Sequence, residues 1–355
     1  MTRERRSQED ETSFEILFCA NPDYYQHAAV AAVSLAENNH QFRANIHVLT
    51  CAEDAIAEGM LRNSLVAYGH IYLVFHHVSD DRLNDVFIDR HLTKETYMRF
   101  LAPEFFPASV SRVLYLDCDL VVLDELKSLW DMDLRGKAIA AAPDFPWDQS
   151  GTLPSRLASL ELGAGHTYVN CGVLLLDLDH WRRNRVSDRL FAYAKERGSA
   201  LAFHDQDTIN AVLRDDVHVL DCRWNLQARM YMLGRRSFPI EFSATREARR
   251  RPAIVHYTTG DKPWLFRSHA VRKLHYFRYL AKTAWRTARP DLPTVWQRLE
   301  WRLGRQLLHL GIDYVWLASW ICRIALMPGR VLRLGLNRIR RSAPPTLARL
   351  WRAIS

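Results

Sequence analysis

Short apolar runs, separated by polar and helix-like stretches, constrain the fold of this chain more than any other feature. Runs of four to seven residues suit buried strands, because core helices are usually longer. After the first run, Ala28, Ala31, Ala32 and Leu35 recur with helical spacing, which predicts a helix of small residues over 25–37 packed on a sheet. The alternation predicts an α/β fold. The candidate strands are 14–18, 46–49, 71–75, 113–116, 172–178 and 253–257.

The stretch 237–252 differs from the rest of this pattern because it is polar, rich in arginine and closed by Pro252. This composition is typical of a surface connection, which we predict before the last core strand. A chain of 355 residues with 48% hydrophobic content has enough apolar material for one large core and one appendage.

The charge of the chain divides at Trp264. Residues 265–355 carry 18 Lys and Arg against 3 Asp and Glu, a net +15, whereas residues 1–264 carry 30 against 37, a net −7. A basic excess of this size indicates a polyanionic partner, either nucleic acid or an anionic lipid surface. The basic region also holds six of the eleven tryptophans among many leucines, which favours a bilayer interface. We expect an anionic membrane surface as the partner of 265–355, and no nucleic acid.

Amphipathic helices are predicted within this basic region. Leu347, Leu350, Trp351 and Ile354 share one helical face with arginines between them, and 332–340 repeats the pattern. The apolar stretch 307–327 contains charged residues that leave too short an interval to span a bilayer, so these helices are expected to lie on its surface. The alternative is a helical subdomain packed on the core.

The N-terminal segment 1–13 is charged and polar, without the apolar stretch of a signal peptide. The six cysteines are scattered without paired spacing, which indicates neither a zinc site nor a disulfide framework. These features predict a cytoplasmic protein with a polar segment over 1–13, a folded domain over 14–264 and a helical tail over 265–355.

An acidic pair, Asp117 and Asp119, follows the predicted strand 113–116 and precedes an apolar stretch. In an extended chain, residues i and i+2 point to the same side, so the two carboxylates would repel each other unless a cation lies between them. Carboxylate oxygens suit Mg²⁺ or Mn²⁺, and a diphosphate can complete the coordination of such an ion. The alternative is that both are solvated turn carboxylates.

Two further polar blocks carry candidate site residues. Asp205 and Gln206 lie in FHDQDTINAVL, at the predicted N-terminus of a helix, where acidic groups also serve as plain caps. His256 ends the last predicted strand and is followed by Gly260 and Lys262 in HYTTGDKPW. Imidazole is a plausible metal ligand and lysine a plausible phosphate ligand, although His256 can equally be an ordinary histidine at a strand end.

Five ordered blocks give the chain a resemblance to a known family. These blocks are FCANPDYY, TYMRFLAPEFFP with RVLYLDCDLVVLDELKSLW, YVNCGVLLLDLDHWR, FHDQDTIN and HYTTGDKPW. Together they resemble glycosyltransferase family 8, the retaining nucleotide-sugar transferases that include bacterial lipopolysaccharide galactosyl- and glucosyltransferases. The resemblance runs from Phe14 to Trp264. The basic tail is similar only in character to the tail by which bacterial members attach to the inner membrane. The resemblance therefore implies a catalytic domain over 14–264 and a tail over 265–355 that is peripheral on the cytoplasmic face of that membrane.

The resemblance implies a GT-A (nucleotide-diphospho-sugar transferase) fold with a mixed central sheet. In such a fold, Asp117, Asp119 and His256 would hold Mn²⁺, or Mg²⁺ in its place, against the phosphates of a UDP-hexose. The same resemblance implies donor contacts from Asn21 and Asp23 on the uridine side, from Gly260 and Lys262 on the phosphates, and from Arg99, Asp117, Asn170 and Asp205 elsewhere on the donor. Gln206 would lie beneath the anomeric carbon, and Asp205 would be the other candidate catalytic group.

The chain departs from the family pattern at two positions. Asn21 stands where close relatives usually carry aspartate, and Thr259 replaces a glycine that here comes one place later, at Gly260. These departures affect the base contact and a backbone contact to phosphate.

The resemblance predicts a retaining, Mn²⁺-dependent hexosyltransferase that moves galactose or glucose from a UDP-sugar to a glycolipid or oligosaccharide acceptor, such as lipopolysaccharide core. One alternative is a metal-dependent sugar-phosphate phosphohydrolase or phosphomutase with Asp117 as nucleophile and Asp215 and Asp216 as metal ligands. Another is a membrane-bound scaffold whose pocket has decayed.

Overall fold

The computed structural model describes residues 13–88, 94–144, 153–232, 242–258, 260–290, 292 and 294–310. The chain divides into two compact units, the first containing residues 1–259 and 275–287, the second containing residues 260–274 and 288–355. Each unit is described by itself.

Ten strands and thirteen helices are formed by the described residues. The strands are β1 (Phe14–Cys19), β2 (Ala44–Thr50), β3 (Ile71–His77), β4 (Arg112–Leu116), β5 (Leu120–Val122), β6 (Ile139–Pro143), β7 (Val169–Asp177), β8 (Val217–Val219), β9 (Leu226–Gln227) and β10 (Ile254–His256). The helices are α1 (Tyr25–Asn38), α2 (Ala55–Leu65), α3 (Glu95–Met98), α4 (Ala102–Phe105), α5 (Lys127–Trp130), α6 (Leu153–Ser159), α7 (Leu178–Arg183), α8 (Val186–Arg197), α9 (His204–Val212), α10 (Arg229–Met232), α11 (Phe242–Arg250), α12 (Lys273–Leu280) and α13 (Val295–His309). All six predicted strands and the predicted helix over 25–37 are confirmed.

The first unit is built on a seven-stranded sheet in the order β3-β2-β1-β4-β7-β6-β8. Neighbouring strands are parallel except that β7 runs antiparallel to both β4 and β6, which makes the sheet mixed. Because β7 is reversed, its amino end meets the carboxyl ends of β1 and β4 at one edge of the sheet. This edge carries the polar residues described below.

The hydrophobic core lies on both faces of this sheet. Along β4, Val113 and Tyr115 belong to one buried cluster, while Leu114 and Leu116 belong to the other, as the alternation of side chains along a strand requires. Helix α1 covers the second face with alanines and other small residues, which lets the helix approach the strands closely. Because strands such as β4 are buried on both faces, their sequences are continuous apolar runs and do not alternate between apolar and polar residues.

A second sheet of three strands, in the order β5-β10-β9, follows directly from the end of β4. Strand β10 is antiparallel to β5, with His256 opposite Leu120, and parallel to β9. The Ser34 hydroxyl of α1 accepts a 2.8 Å hydrogen bond from the Val122 N–H, so the small sheet is attached to the helix layer. The pairing of β5 with β10 brings His256, at the end of β10, beside the acidic pair.

The segment 237–252, predicted as a surface connection, contains helix α11. Thr245 and Ala248, three residues apart, are buried, while Arg246 and Arg250 are exposed. Two small inward residues dock one face of the helix, whose neighbouring positions over 246–250 are mostly charged. The prediction that this segment lies at the surface was therefore correct for its charged residues, but the prediction of an irregular connection missed helix α11. Residues 237–241 lie outside the described residues.

Residues 275–287 pack on α1 within the first unit, although they follow Trp264. Tyr276 and Leu280 are each 1% exposed. The Gln26 side-chain amide donates to the Tyr276 hydroxyl at 3.0 Å, and the Asn38 amide donates to the Tyr279 hydroxyl at 2.9 Å. This part of the sequence predicted as tail belongs to the core of the first unit.

The second unit contains α13, which begins with a capping box formed by Thr294 and Gln297. This helix exposes an apolar stripe, in which Trp296 is 80% exposed, Leu303 57% and Leu310 67%. No helix in the described part of the chain is long and apolar enough to cross a membrane. The amphipathic helices predicted at 332–340 and 347–354 lie outside the described residues.

Candidate active site

Asp117, Asp119 and His256 converge at the polar edge of the sheet. The His256 Nε2 atom lies 3.0 Å from Asp119 Oδ1 and 3.4 Å from Asp117 Oδ2. One ligand atom from each of the three residues lies within 4.8 Å of the others, and among the described residues this is the one such group of histidine, cysteine and acidic side chains. The His256 side chain is 4% exposed, whereas Asp117 is 24% exposed, so the group is open on the carboxylate side.

Backbone pairing brings these residues together. The Asp117 N–H donates to the Gly172 carbonyl at 2.8 Å, which continues the β4–β7 ladder past the end of β4. The Tyr257 N–H donates to the Asp119 carbonyl at 2.9 Å, which continues the β5–β10 pairing. Asp117 therefore ends the large sheet, and Asp119 leads into the small sheet that carries His256.

Gly172 leaves the space that His256 occupies. A Cβ atom at this position would lie 2.1 Å from His256 Cε1 and 2.6 Å from Asp117 Oδ2, much closer than any van der Waals contact. Any larger residue here would displace the imidazole from the carboxylates. The glycine is required by close approach, since its backbone is not in the left-handed region.

The donor set of this group fits a divalent cation. Two carboxylates and one imidazole offer the hard oxygen and borderline nitrogen ligands that Mn²⁺ accepts readily. Two carboxylates this close to one another, bounded by the buried residues Cys118 and Leu120, favour a positive charge between them. The predicted ligands are thus placed where a metal could contact all three.

Arg99 links the acidic pair to helix α9. Its guanidinium lies 3.1 Å from Asp117 Oδ1 and 3.2 Å from Asp205 Oδ2, and its carbon lies 4.2 Å from the centroid of the Tyr115 ring. Burial alone would lower the pKa of Arg99, but the carboxylates of Asp205 and Asp117 raise it well above its ordinary value. The side chain, 7% exposed, is a fixed positive charge between two acidic groups.

Asp205 differs from the other acidic groups in its titration. Burial raises the pKa of its carboxyl to about 6, against the lowering effect of Arg99 and with a further upward contribution from Asp117. The side chain is 8% exposed. A carboxyl with this pKa can exchange a proton near neutral pH, which is typical of functional positions.

A second polar group, beside the predicted metal ligands, consists of Gln206, Asn170 and Asp144. The Asn170 amide nitrogen lies 3.1 Å from both Asp144 Oδ2 and Gln206 Oε1. The Gln206 amide nitrogen donates to Asp144 Oδ2 at 2.8 Å and to the Tyr168 hydroxyl at 3.3 Å. The Cys171 N–H donates to Gln206 Oε1 at 3.1 Å. The predicted sugar-side residues Asn170 and Gln206 are therefore in direct contact.

The uridine-side candidates Asn21 and Asp23 follow β1 at the same edge of the sheet. Asn21 Oδ1 accepts a 3.2 Å hydrogen bond from the Tyr24 N–H and so caps a short 3-10 helix, while Asp23 is exposed. Gly260 and Lys262 belong to the second unit, where the Lys262 N–H donates to the Gly260 carbonyl. Their contact with phosphate stays a prediction. Thr259 lies outside the described residues.

Three residues that contact this site escaped the sequence analysis. Gly172 and Asn225 lie beside His256, and Asp144 holds two amides. Asp144 had a usable signal, since it follows the apolar strand β6 at its carboxyl end, where polar groups of parallel strands collect. Nothing in the local sequence marks Asn225, because its importance arises from side chains far away in the chain.

The fold separates the residues that the phosphohydrolase alternative needs at one metal site. Asp215 and Asp216 immediately precede β8, and the Asp216 carbonyl accepts the Ala138 N–H at the amino end of β6. Since β4, β6 and β8 run in the same direction, this position is at the opposite edge of the sheet from Asp117. The two acidic groups cannot share one ion.

Comparisons with known proteins agree with this geometry. Residues 15–268 match the family model for glycosyl transferase family 8. General stress protein A of Bacillus subtilis (strain 168) is 28% identical over 284 residues, which are 77% of this chain and 94% of that protein. Lipopolysaccharide 1,3-galactosyltransferase of Salmonella typhimurium is 24% identical over 261 residues, which are 72% of this chain and 74% of that protein.

A solved structure shows the same fold. The crystal structure of galactosyltransferase LgtC, in complex with donor and acceptor sugar analogues, superposes with a TM-score of 0.65 at 24% identity, over 80% of this chain and 99% of that chain. The prediction of a GT-A-like α/β fold with a mixed central sheet is confirmed.

Proposed function

The chain belongs to glycosyltransferase family 8, and from this premise we propose that it transfers a hexose, galactose or glucose, from a UDP-sugar to a glycolipid acceptor with retention of configuration. The observation that carries the proposal is the convergence of Asp117, Asp119 and His256 beside the amide group of Asn170 and Gln206. A metal site next to a sugar-binding group is what transfer from a nucleoside diphosphate requires. The relative named for lipopolysaccharide galactosyl transfer supports lipopolysaccharide core as the acceptor.

Asp117, Asp119 and His256 would hold Mn²⁺, or Mg²⁺ in its place. The ion would stabilise the negative charge that develops on the departing UDP. We propose that Lys262 and the Gly260 backbone also contact the phosphates. Asn21 and Asp23 would contact the uridine side of the donor. Arg99, which is buried and positively charged, would contact the donor while keeping Asp117 and Asp205 in place.

The contacts of Gln206 and Asp205 favour transfer without a covalent enzyme intermediate. Gln206 is a neutral amide whose oxygen already accepts two hydrogen bonds, from Asn170 and the Cys171 N–H, so it is a poor nucleophile. The Asp205 carboxylate is held by Arg99 at 3.2 Å, which reduces its nucleophilicity. The acceptor would therefore attack from the face that UDP leaves, with a phosphate oxygen accepting its proton. Asn170 and Asp205 would hold the sugar hydroxyls.

A donor screen with the full-length chain tests this function. We expect transfer from UDP-galactose or UDP-glucose in the presence of Mn²⁺, with the product linkage retaining the α configuration of the donor by NMR. Phosphate release from a sugar phosphate with Mg²⁺ and without UDP would instead support the phosphohydrolase. Absence of UDP binding with Mn²⁺ in calorimetry would support a scaffold and overturn the proposal.

We assign the second unit and the basic tail to peripheral attachment on the cytoplasmic face of the inner membrane. The exposed apolar stripe of α13, the nearby arginines and the net +15 of residues 265–355 support attachment to anionic lipid. A membrane-held transferase would meet a glycolipid acceptor at the same surface.

Truncation tests this attachment. We expect truncation after Arg289, which keeps the packed segment 275–287, to release the protein from vesicles containing phosphatidylglycerol, and high salt to weaken binding of the full chain. Replacing Trp296 and Leu303 by serine should weaken vesicle binding roughly tenfold. Val219→Ser, at an exposed apolar residue of the first unit, is the matched control and should bind normally. Sedimentation of the truncated chain with these vesicles would contradict the assignment.

A further inference from the structure

The two ring nitrogens of His256 face different partners. Nε2 faces the carboxylates of Asp117 and Asp119, whereas Nδ1 lies 3.0 Å from the side-chain oxygen of Asn225. A neutral imidazole carries its proton on one nitrogen and its lone pair on the other. Whether Nε2 can bind a metal therefore depends on what Nδ1 contacts.

The hydrogen-bond direction at Asn225 follows from a backbone group. The Gly172 N–H donates to the Asn170 side-chain oxygen at 3.0 Å, and a backbone N–H can only donate. Asn225 contacts this same oxygen at 2.7 Å, so the group it presents must be its NH₂. The Asn225 oxygen is then left facing His256, and it can only accept. Nδ1 must therefore carry a proton, and in a neutral ring the lone pair then lies on Nε2.

A second backbone group supports the same orientation of Asn170. The Cys171 N–H donates to Gln206 Oε1, so this oxygen must accept from Asn170 as well, and Asn170 must present its NH₂ there. Two backbone N–H donors on β7 thus identify which atom of the Asn170 side-chain amide is the oxygen and which is the nitrogen. Asn225 itself is 0% exposed, so water does not compete for its hydrogen bonds.

We propose that Asn225 is a positioning residue that holds His256 in the Nδ1-protonated tautomer, with Nε2 turned to the metal, and couples it to the sugar-side residue Asn170. This inference rests on the proposed function for the metal and the donor. A ligand histidine that donates its other N–H to a fixed acceptor keeps its ring orientation and binds metal more tightly. Because Asn225 contacts both groups, a change at the sugar-side amides reaches the metal ligand through one side chain.

Three variants test the proposal. Asn225→Leu removes both hydrogen bonds at similar volume, whereas Asn225→Asp keeps an acceptor for Nδ1–H and loses the donor to Asn170. Asn39→Leu is the matched control: Asn39 is 1% exposed and also makes two hydrogen bonds, to the Leu35 carbonyl and from the Leu126 N–H, outside the metal site. All three are assayed as full-length chains with thermal unfolding recorded.

The first measurement is Mn²⁺ affinity in the presence of UDP, from the EPR signal of free Mn²⁺. We expect Asn225→Leu to bind Mn²⁺ about 10 to 100 times more weakly. Asn225→Asp should stay within about threefold of the unchanged chain, because the acceptor for Nδ1–H is retained. Asn39→Leu should lose stability and keep its Mn²⁺ affinity. Equal affinity in Asn225→Leu and the unchanged chain would overturn the positioning role while leaving the transferase function standing.

The second measurement does not depend on the function. Long-range ¹H–¹⁵N NMR spectra of the metal-free protein report which ring nitrogens of His256 carry a proton. We expect the proton of His256 on Nδ1 in the unchanged chain and in Asn39→Leu, and loss of this preference in Asn225→Leu. An unprotonated Nδ1 in the unchanged chain would refute the inference, whether or not the chain transfers sugar. Absence of Mn²⁺ binding by the unchanged chain would overturn the function and this inference together.

Discussion

The chain contains four Asp-x-Asp sequences, and the fold uses two of them, 117–119 and 205–207, in opposite ways. In the extended segment after β4, Asp117 and Asp119 turn to the same histidine. On helix α9, Asp205 pairs with Arg99, which also contacts Asp117, whereas Asp207 is 0% exposed and pairs with Arg156 in the core. Equal spacing gives a shared site in one case and two separate contacts in the other, because side-chain direction depends on secondary structure.

This comparison predicts its largest effect on stability at Asp207. Asp207→Ala leaves the Arg156 guanidinium buried without its partner and removes the acceptor of the Tyr168 hydroxyl and the Phe203 N–H. We expect a loss of about 3–5 kcal/mol in the free energy of unfolding, measured with urea. Arg156→Met combined with Asp207→Leu should recover part of it. A change below about 1 kcal/mol in Asp207→Ala would show that this carboxylate is not a core ion pair.

The acidic pair after β4 should respond in the opposite manner, with loss of activity and little loss of stability. Asp117→Ala or Asp119→Ala removes a proposed metal ligand at a partly exposed position, so we expect turnover with UDP-hexose and Mn²⁺ to fall by roughly a hundredfold or more. Urea unfolding should change much less than in Asp207→Ala. Near-normal transfer by both variants would remove the assigned site.

Asp205 should give the smallest effect, visible as a dependence of stability on pH. The pKa of Asp205 is raised to about 6 in the folded chain, so between about pH 4 and 6 the folded state keeps a proton that the unfolded state has released. Its contribution to stability is therefore lost as pH rises through this range and is constant above it. The expected size is on the order of 1–3 kcal/mol.

Replacing Asp205 by asparagine should flatten this part of the stability profile, measured by urea unfolding of the metal-free chain. Glu125→Gln, at an exposed carboxylate, is the control and should leave the profile unchanged. An unchanged slope in Asp205→Asn would mean that the carboxyl titrates as it does in the unfolded chain. The Asp205 carboxyl would then be accessible to water, as the partly exposed Asp117 and Asp119 are, and unlike the buried Asp207.

Local patterns allowed most of the fold to be predicted. Apolar runs gave β1, β2 and β3 within two residues at each end, and small residues at helical spacing gave α1. Prediction failed at α11, which has few apolar residues, at β6, whose sequence is mostly alanine, and at the short strands β5, β8 and β9. These short elements are stabilised by their neighbours, so their own sequence carries little signal.

The sequence by itself determined six of the strands, helix α1, the family and the adjacency of Asp117 and Asp119, since these depend on neighbouring residues or on ordered blocks. The tertiary structure alone decided that His256, 137 residues beyond Asp119, reaches the same point, that Gly172 leaves it room, and that Asn225 holds its ring. The physical reason is that periodicity and spacing report which way a side chain turns from its own strand or helix. The order in which strands pair, here β10 beside β5 and a reversed β7 beside β4, decides which distant side chains it meets.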